Sequence, residues 1–436
     1  MDVPFLDRVM GQEEGVGKVD EFVGQLWRGW KQIRDEGTAQ PLHLGLFRSD
    51  YLLHAPSKDV PTSLRQVEFN TISSSFGPLS ERTATLHNYL RASTGYYDSS
   101  PYLKAENFPE NRTTAGLAEG LAVAHAAYGV PDARILFVVQ AGERNVFDQR
   151  WLEYQVLESH GIHVIRQTLD ELAKSATLDI KSNVLRISST TFKSYEIAVI
   201  YFRAGYTPSD FPTSAQYETR FLLERSRAIK CPSIPLQLAG GKKVQEVLTK
   251  PGVLEHFLAD EGRWEGQTFS KDDLAELRAS WMGMWGLDDD DAETSDSGAE
   301  AKETSGVRKA REQASSLVLK PQREGGGNNV YKSSIPPFLD HLPPRERQAW
   351  IAMELIVPPE GLGNYLIRAG SGSEGGVKAD VVSELGIFGW ALFGDPSVEV
   401  KEKEIGWLVR TKGKDSDEGG VAAGFSVLDS ILLVDD

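Results

Sequence analysis

Glu68 and Asn70 stand two positions apart in Gln66-Val67-Glu68-Phe69-Asn70. In a β-strand that spacing puts both side chains on one face, opposite Val67 and Phe69. A carboxylate and an amide oxygen aimed at one spot suit a hard cation such as Mg2+, which takes a few protein oxygens and leaves its other positions to water and substrate phosphate. Taken alone, the pair is also the polar face of an ordinary half-buried strand. The residues that follow, Thr71-Ile72-Ser73-Ser74-Ser75-Phe76-Gly77, add serine hydroxyls and free backbone amides at a strand end, where α/β proteins place ligands. The two segments together read as a site.

A second signal is LVLKPQREGGGNNVY, residues 317–331. An apolar strand ends in Lys320, and three consecutive glycines, Gly325, Gly326 and Gly327, leave backbone N–H groups open to an anion without interference from Cβ atoms. A phosphate cradle is the chemistry implied; a hairpin tip is the plain alternative. The P-loop pattern occurs nowhere: Gly240-Gly241-Lys242-Lys243 lacks the leading glycine and the hydroxyl residue. Gly370-Ser371-Gly372-Ser373-Glu374-Gly375 matches G-x-G-x-x-G in form but follows no strand-to-helix turn, so it is not read as a dinucleotide fingerprint. Arg48, Arg203 and Arg410 each close an apolar stretch that reads as a strand end, a placement from which a planar fork grips carboxylate or phosphate. The eight histidines show no zinc spacing, no G-x-S-x-G elbow is present, and the lone Cys231 beside Pro232 reads as structural. Covalent catalysis by the protein is disfavoured.

The elements that must hold these residues follow from apolar periodicity. Val19, Phe22, Leu26, Trp30 and Ile33 form one stripe of a helix. Strands are predicted at 42–47 and 64–69, and helices at 80–90 and 114–128, the latter stopped by Gly129 and Pro131. Strands at 134–139, 163–167 and 196–202, with helices at 147–159 and 214–229, repeat the βαβ order of a parallel sheet and define an α/β domain over about 132–240. Past Lys242 the pattern reads as helical to Trp285. Residues 287–306 are acidic, poor in apolar side chains, and expected to stay mobile at the surface. Strands at 317–320, 351–356, 381–393 and 407–411 alternate with glycine-rich loops thereafter.

Composition narrows the function. The 436 residues are 40% hydrophobic, enough for several cores, and a net charge of −16 without any basic stripe argues against a nucleic-acid partner. One cysteine forbids an internal disulfide and any Cys-based zinc or iron–sulfur site, which fits a cytoplasmic location. No apolar run approaches the roughly 18 residues of a membrane span, so no membrane partner is expected.

In order along the chain, QVEFNTISSSFG, ERNVFDQR, YFRAGY, KCPSIPLQLAGGKKVQ, LKPQREGGGNNVY, SELGIFG, LVRTK and EGGVAAG closely resemble segments of the eukaryotic glutathione synthetase family. The resemblance covers about 44–434. It implies a mixed α/β ATP-grasp fold, circularly permuted, with an inserted parallel-sheet substrate-binding domain. Residues 1–131 would be the N-terminal part of the ATP-grasp core with a truncated start, 132–240 the substrate-binding domain, and 241–436 the C-terminal part with its lid loops. It further implies a homodimer that joins γ-glutamylcysteine to glycine using ATP and Mg2+, through an acyl phosphate.

Carried over by position, the resemblance assigns the metal to Glu68, Asn70 and Glu324. ATP falls to Glu68, Lys242, Lys320, Glu324, Gly325, Gly326, Gly327, Asn328, Asn329, Tyr331, Met353, Glu354, Leu355, Ile356, Glu384, Lys412 and Glu418. The dipeptide falls to Arg48, Ser73, Ser75, Asn145, Gln149, Arg203 and Tyr206, with Arg410, Val421 and Ala422 closing over substrate. Arg410, Lys320 and Arg48 are the expected catalytic cations. Glu418 stands where the family has Asp, and Lys332-Ser333-Ser334 where it has acidic residues. Two other functions stay open: a ligase accepting β-alanine or serine instead of glycine, and a catalytically silent protein that binds nucleotide.

Overall fold

In the computed structural model, which describes residues 2–95, 99–188, 193–260, 269–290, 303–323, 327–367, 376–416, 421, 424 and 426–434, the apolar run at 134–139 becomes the strand Arg134–Val138, and Ile135 to Val138 are fully buried. Its neighbour Ser194–Phe202 is equally inaccessible from Ile197 onward. Side chains sealed on both faces of a strand belong to a sheet covered on both sides, and each contributes about 1.5–3 kcal/mol by leaving water. Parallel register joins Ile135 to Val199 and to Val164, Val199 to Ile229, and Lys230 to His43. The βαβ reading of this region is therefore realised.

The chain divides into two compact units. The larger comprises 29–50, 70–237 and 361–436. Its sheet runs in the order Ser426–Asp429, Lys401–Gly413, Val377–Phe393, His43–His54, Ile229–Cys231, Ser194–Phe202, Arg134–Val138, Val164–Gln167. The first three are antiparallel to one another and the last five parallel. The helix Thr113–Tyr128 lies flat on this sheet because its small residues allow close approach. A Cβ on Gly116 would stand 2.4 Å from the Ile405 Cβ, and one on Gly120 2.7 Å from the Trp390 Cγ. Gly129 ends the helix at φ +82°, a left-handed position that glycine takes without strain.

The smaller unit comprises 1–28, 51–69 and 238–360. Its four-stranded sheet is ordered Val330–Tyr331, Leu317–Pro321, Trp350–Glu354, Met284–Gly286. Strand alternation gives the sheet two different faces. Leu317, Leu319, Ala352 and Trp285 pack with Val307, Ile335 and Leu339 of the helices Ser305–Glu312 and Ile335–His341. Met284, Val318 and Met353 form a separate apolar strip, joined by Trp281, Met282, Tyr331 and Leu355.

The structure corrects four expectations. The helical reading up to Trp285 gives way to helices Lys242–Leu248, Val253–Leu258 and Lys271–Ala279 and then the strand Met284–Gly286, because pairing of Ala352 with Trp285 overrides local propensity. The helix expected at 214–229 ends at Arg225, and Ile229–Cys231 is a buried parallel strand. The acidic stretch is narrower than 287–306: Leu287 is fully buried, and Ser305 already begins a helix capped by Thr304. Arg48 and Arg410 lie inside the long strands His43–His54 and Lys401–Gly413 rather than at their ends. Residues 291–302 fall outside the described residues.

Candidate functional site

In the larger unit the site is built on the turn after Asn70. Ser73 and Phe76 adopt left-handed backbone conformations, φ 53° and 72°, which cost non-glycine residues free energy and persist only where their surroundings hold them. Four hydrogen bonds hold this turn. The Ser73 hydroxyl donates to the Phe202 carbonyl at 3.1 Å. The Arg203 guanidinium donates to the Ser74 carbonyl at 2.8 Å and to the Ser75 hydroxyl at 2.7 Å. Arg48 Nη1 donates to the Ser75 carbonyl at 3.1 Å. Arg48 and Arg203 are both 4% exposed, so the serine turn is lined by two buried cations.

Buried cations require counter-charges. Asp148 lies 3.9 Å from Arg203 and accepts the backbone N–H of Phe76 at 2.9 Å and of Leu79 at 3.2 Å. It thereby caps the helix Gly77–Ser93, whose own N-terminal residue offers no side-chain acceptor. Burial pushes the Asp148 carboxyl up from its ordinary value, opposed by Arg203 and by those backbone donors. Asn145 reaches the same carboxylate at 3.4 Å.

Next to it, Gln149 has both ends of its amide engaged. Its Nε2 donates to Glu143 at 2.7 Å and its Oε1 accepts from Arg166 at 2.7 Å, while Glu143 also accepts the Asn145 backbone N–H. Tyr206 follows Gly205, which sits at φ +90°; Asp210 gathers the N–H groups of 205, 206 and 207, and the Tyr206 hydroxyl accepts from Gln140 at 3.4 Å. Burial and Asp210 push the Tyr206 phenol up from its ordinary value.

Arg410 pairs with Glu384 across the strands Val377–Phe393 and Lys401–Gly413 and also reaches Asp50 at 3.1 Å. Lys412 lies two residues further along that strand on the same face. Val421 packs against the core of the sheet. Glu418 and Ala422 lie outside the described residues. Arg48, Ser73, Ser75, Arg203 and Arg410 are thus joined by hydrogen bonds, directly or through Asp50, and Asn145 joins them through Asp148, whose link to Arg203 is an ion pair at 3.9 Å. Asp50, Glu143, Asp148 and Arg166 belong to the same network and were not singled out from the sequence. Asp50 had a signal, since Arg48-Ser49-Asp50 puts both charges on one strand face; Arg166, in an unremarkable strand, had none.

In the smaller unit the Lys242 ammonium donates to Glu68 at 2.8 Å and Lys320 donates to the Val67 carbonyl at 3.0 Å. Lys242 and Lys320 are 5% and 6% exposed. Lys320 shares its strand face with Val318, hence with the apolar strip around Met353. Tyr331 accepts a hydrogen bond from Asn329 at 3.1 Å and packs on that strip, as does Leu355, whose N–H donates to the Ser316 carbonyl. Glu354 points to the opposite face, where it accepts the Gly283 N–H at 3.2 Å, and Ile356 is half-buried. Gly327 and Asn328 are exposed, with Gly327 at φ +89°.

Leu317–Pro321 and Val330–Tyr331 are the arms of an antiparallel hairpin around the triple-glycine segment, of which Glu324, Gly325 and Gly326 lie outside the described residues. Glu68 falls in the smaller unit and Asn70 in the larger. Among the described residues no cluster of three or more His, Cys, Asp and Glu side chains could hold a metal ion. Oxygen donors alone make up the expected set, and the Asn70 amide nitrogen is committed to the Arg48 carbonyl and to Asp50, which leaves the amide oxygen on its other side. An amide oxygen so oriented is a hard donor of the kind Mg2+ takes.

An apolar sheet face bearing a buried lysine suits a nucleotide, and an arginine-lined serine turn suits a small carboxylate; the chain is an ATP-dependent C–N ligase of mixed α/β fold. The family model described as "Eukaryotic glutathione synthase, ATP binding domain" matches residues 1–433, and the chain belongs to that family. It is 40% identical over 414 residues to the glutathione synthetase of Homo sapiens, covering 95% of this chain and 79% of the relative. It is 39% identical over 420 residues to the chloroplastic glutathione synthetase of Solanum lycopersicum, covering 96% and 69%. The solved structure of a glutathione synthetase-like effector from Globodera pallida has the same fold, with a TM-score of 0.68 at 20% identity over 96% of this chain and 83% of that one. No described helix is long and apolar enough to cross a membrane.

Proposed function

We infer that this chain makes glutathione, ligating γ-glutamylcysteine to glycine with conversion of ATP to ADP and phosphate. The observation that carries the reading is the convergence of Arg48 and Arg203 on the strained Ser73–Ser75 turn, a preformed anion-binding surface in a chain of the glutathione synthase family. The dipeptide carries two carboxylates and an ammonium. Arg203, Ser73, Ser75, Tyr206 and Gln149 are assigned to its glutamyl end, where Glu143 supplies the counter-charge for the ammonium. Arg48 and Arg410 are assigned to the cysteinyl carboxylate.

A carboxylate is a poor acyl donor. One of its oxygens attacks the γ-phosphorus, the bond to the β-phosphate oxygen breaks, and ADP leaves. The glycine nitrogen then attacks the acyl carbon, phosphate departs with the carbon–oxygen electron pair, and the amine loses a proton to solvent. The apolar strip of Met284, Val318 and Met353 suits the adenine, with Lys320 and Lys242 placed for phosphate charge. Glu68, Asn70 and Glu324 would hold Mg2+, which when bound neutralises charge on the triphosphate. An acyl phosphate is lost to water unless covered, and the triple-glycine loop at 325–327 and the 418–424 segment are the proposed covers.

The compartment is read as cytoplasmic on the single cysteine. A homodimer is supported by the helix Val146–His160, whose Phe147, Trp151, Tyr154 and Leu157 form a stripe 71%, 39%, 47% and 44% exposed. The test is ADP release with γ-glutamylcysteine and glycine, β-alanine or serine offered separately. Turnover highest with glycine and lost on chelating Mg2+ is expected; folded protein that releases no ADP with any acceptor refutes the reading.

A further inference from the structure

Asp50 lies in the strand His43–His54 and is completely buried. Its Oδ1 accepts from Arg48 Nε at 2.6 Å. Its Oδ2 accepts from Arg48 Nη2 at 2.8 Å, Asn70 Nδ2 at 3.0 Å and Arg410 Nη2 at 3.1 Å. One carboxylate therefore touches two proposed substrate cations and one proposed metal ligand.

We propose that Asp50 is the positioning residue of this ligase: without contacting substrate, it sets the orientation of Arg48, Arg410 and Asn70 together. The inference rests on the ligase reading and extends it to a residue that the assigned site does not contain.

The two bonds to Arg48 form a fork-to-fork pair, which fixes the guanidinium plane and leaves Nη1 aimed at the Ser75 carbonyl. The bond to Asn70, with the Arg48 carbonyl 3.2 Å away as second acceptor, commits the amide nitrogen and so decides which way the amide oxygen faces. Two guanidiniums so close repel unless negative charge lies between them, and Asp50 together with Glu384, the other partner of Arg410, makes the group neutral.

Gly386 closes the arrangement from the neighbouring strand. A Cβ there would stand 2.8 Å from both the Arg48 Cδ and the Asp50 Oδ1, so the pair occupies the space that any larger residue would need.

The experiment compares wild type with Asp50→Asn, which keeps the shape and removes the charge, and Gly386→Ala, which keeps every charge and shifts the pair. Binding of γ-glutamylcysteine is measured by calorimetry without nucleotide or metal, alongside melting temperature, kcat and the Mg2+ concentration giving half-maximal rate. Expected for both variants are a dipeptide Kd raised on the order of tenfold and a kcat lowered by at least about tenfold. For Asp50→Asn the Mg2+ requirement also rises. A purely structural role lowers only the melting temperature; folded variants that bind and turn over as wild type does overturn the proposal. Should Asp50→Asn fail to fold, Gly386→Ala alone decides between the same two outcomes. A wild-type chain that neither binds the dipeptide nor releases ADP overturns the ligase reading itself, and this proposal with it.

Discussion

The Asp148 carboxylate accepts the backbone N–H of Phe76 at 2.9 Å, across 72 residues of chain. Through that bond the helix Val146–His160 supplies the cap that the helix Gly77–Ser93 lacks, and the cap sits directly behind the serine turn. Asp148→Asn keeps one acceptor oxygen and loses the charge facing Arg203. It is expected to cost about 1–3 kcal/mol in urea unfolding and to raise the KM for γ-glutamylcysteine. A stability loss with unchanged KM would mean that the cap and the turn are independent.

Glu324→Gln is expected to lower kcat by about a hundredfold or more and to shift the melting temperature little, because its assigned role is charge at a loop metal site rather than packing. Equal losses of stability and activity would assign Glu324 to the fold.

Gly116→Ala should destabilise the larger unit by about 1–3 kcal/mol. The new methyl meets the Ile405 Cβ at 2.4 Å and has to push the helix Thr113–Tyr128 off the sheet. Chemical denaturation checks this, and a neutral result would show that Ile405 and the sheet yield to the added methyl without cost.

His43 gives a pH dependence with a definite sign. Burial pushes its imidazole down to about 4 from 6.5, while its Nδ1 is 2.6 Å from the Ser233 hydroxyl. The folded pKa is depressed, so the unfolded chain binds the proton more tightly. The stability contribution is complete above pH 6.5 and is lost as pH falls from there toward 4, by roughly 3 kcal/mol in all. Urea titrations at pH 7 and 4.5 should show this loss in wild type and much less of it in His43→Asn. Parallel pH curves for the two proteins would rule out His43 as the source.

Much of the local architecture was legible from period and punctuation. The buried runs at 134–138 and 197–202, the helix stopped by Gly129 and the alternation around Glu68 are short-range patterns, and short-range sterics decide them. The runs of identity with a known family were legible in the same way, and with them the class of reaction. Misreadings arose where a distant partner outweighed local preference: Met284–Gly286 turned from helix to strand beside Trp350–Glu354, and Ile229–Cys231 joined the parallel sheet.

The letters alone determined which residue types are present and, in the elements whose local period decides them, which face those residues occupy. Only the tertiary structure decided who meets whom: that Asp50 holds Arg410 across 360 residues, that Asp148 caps a helix far from its own, and that Arg166 reaches Gln149. A buried polar group must find a partner, but nothing in its own neighbourhood of sequence records which one. Apolar periodicity is enforced by water at every turn of chain, whereas ion pairs and hydrogen bonds are settled only once folding has brought remote strands within about 3 Å.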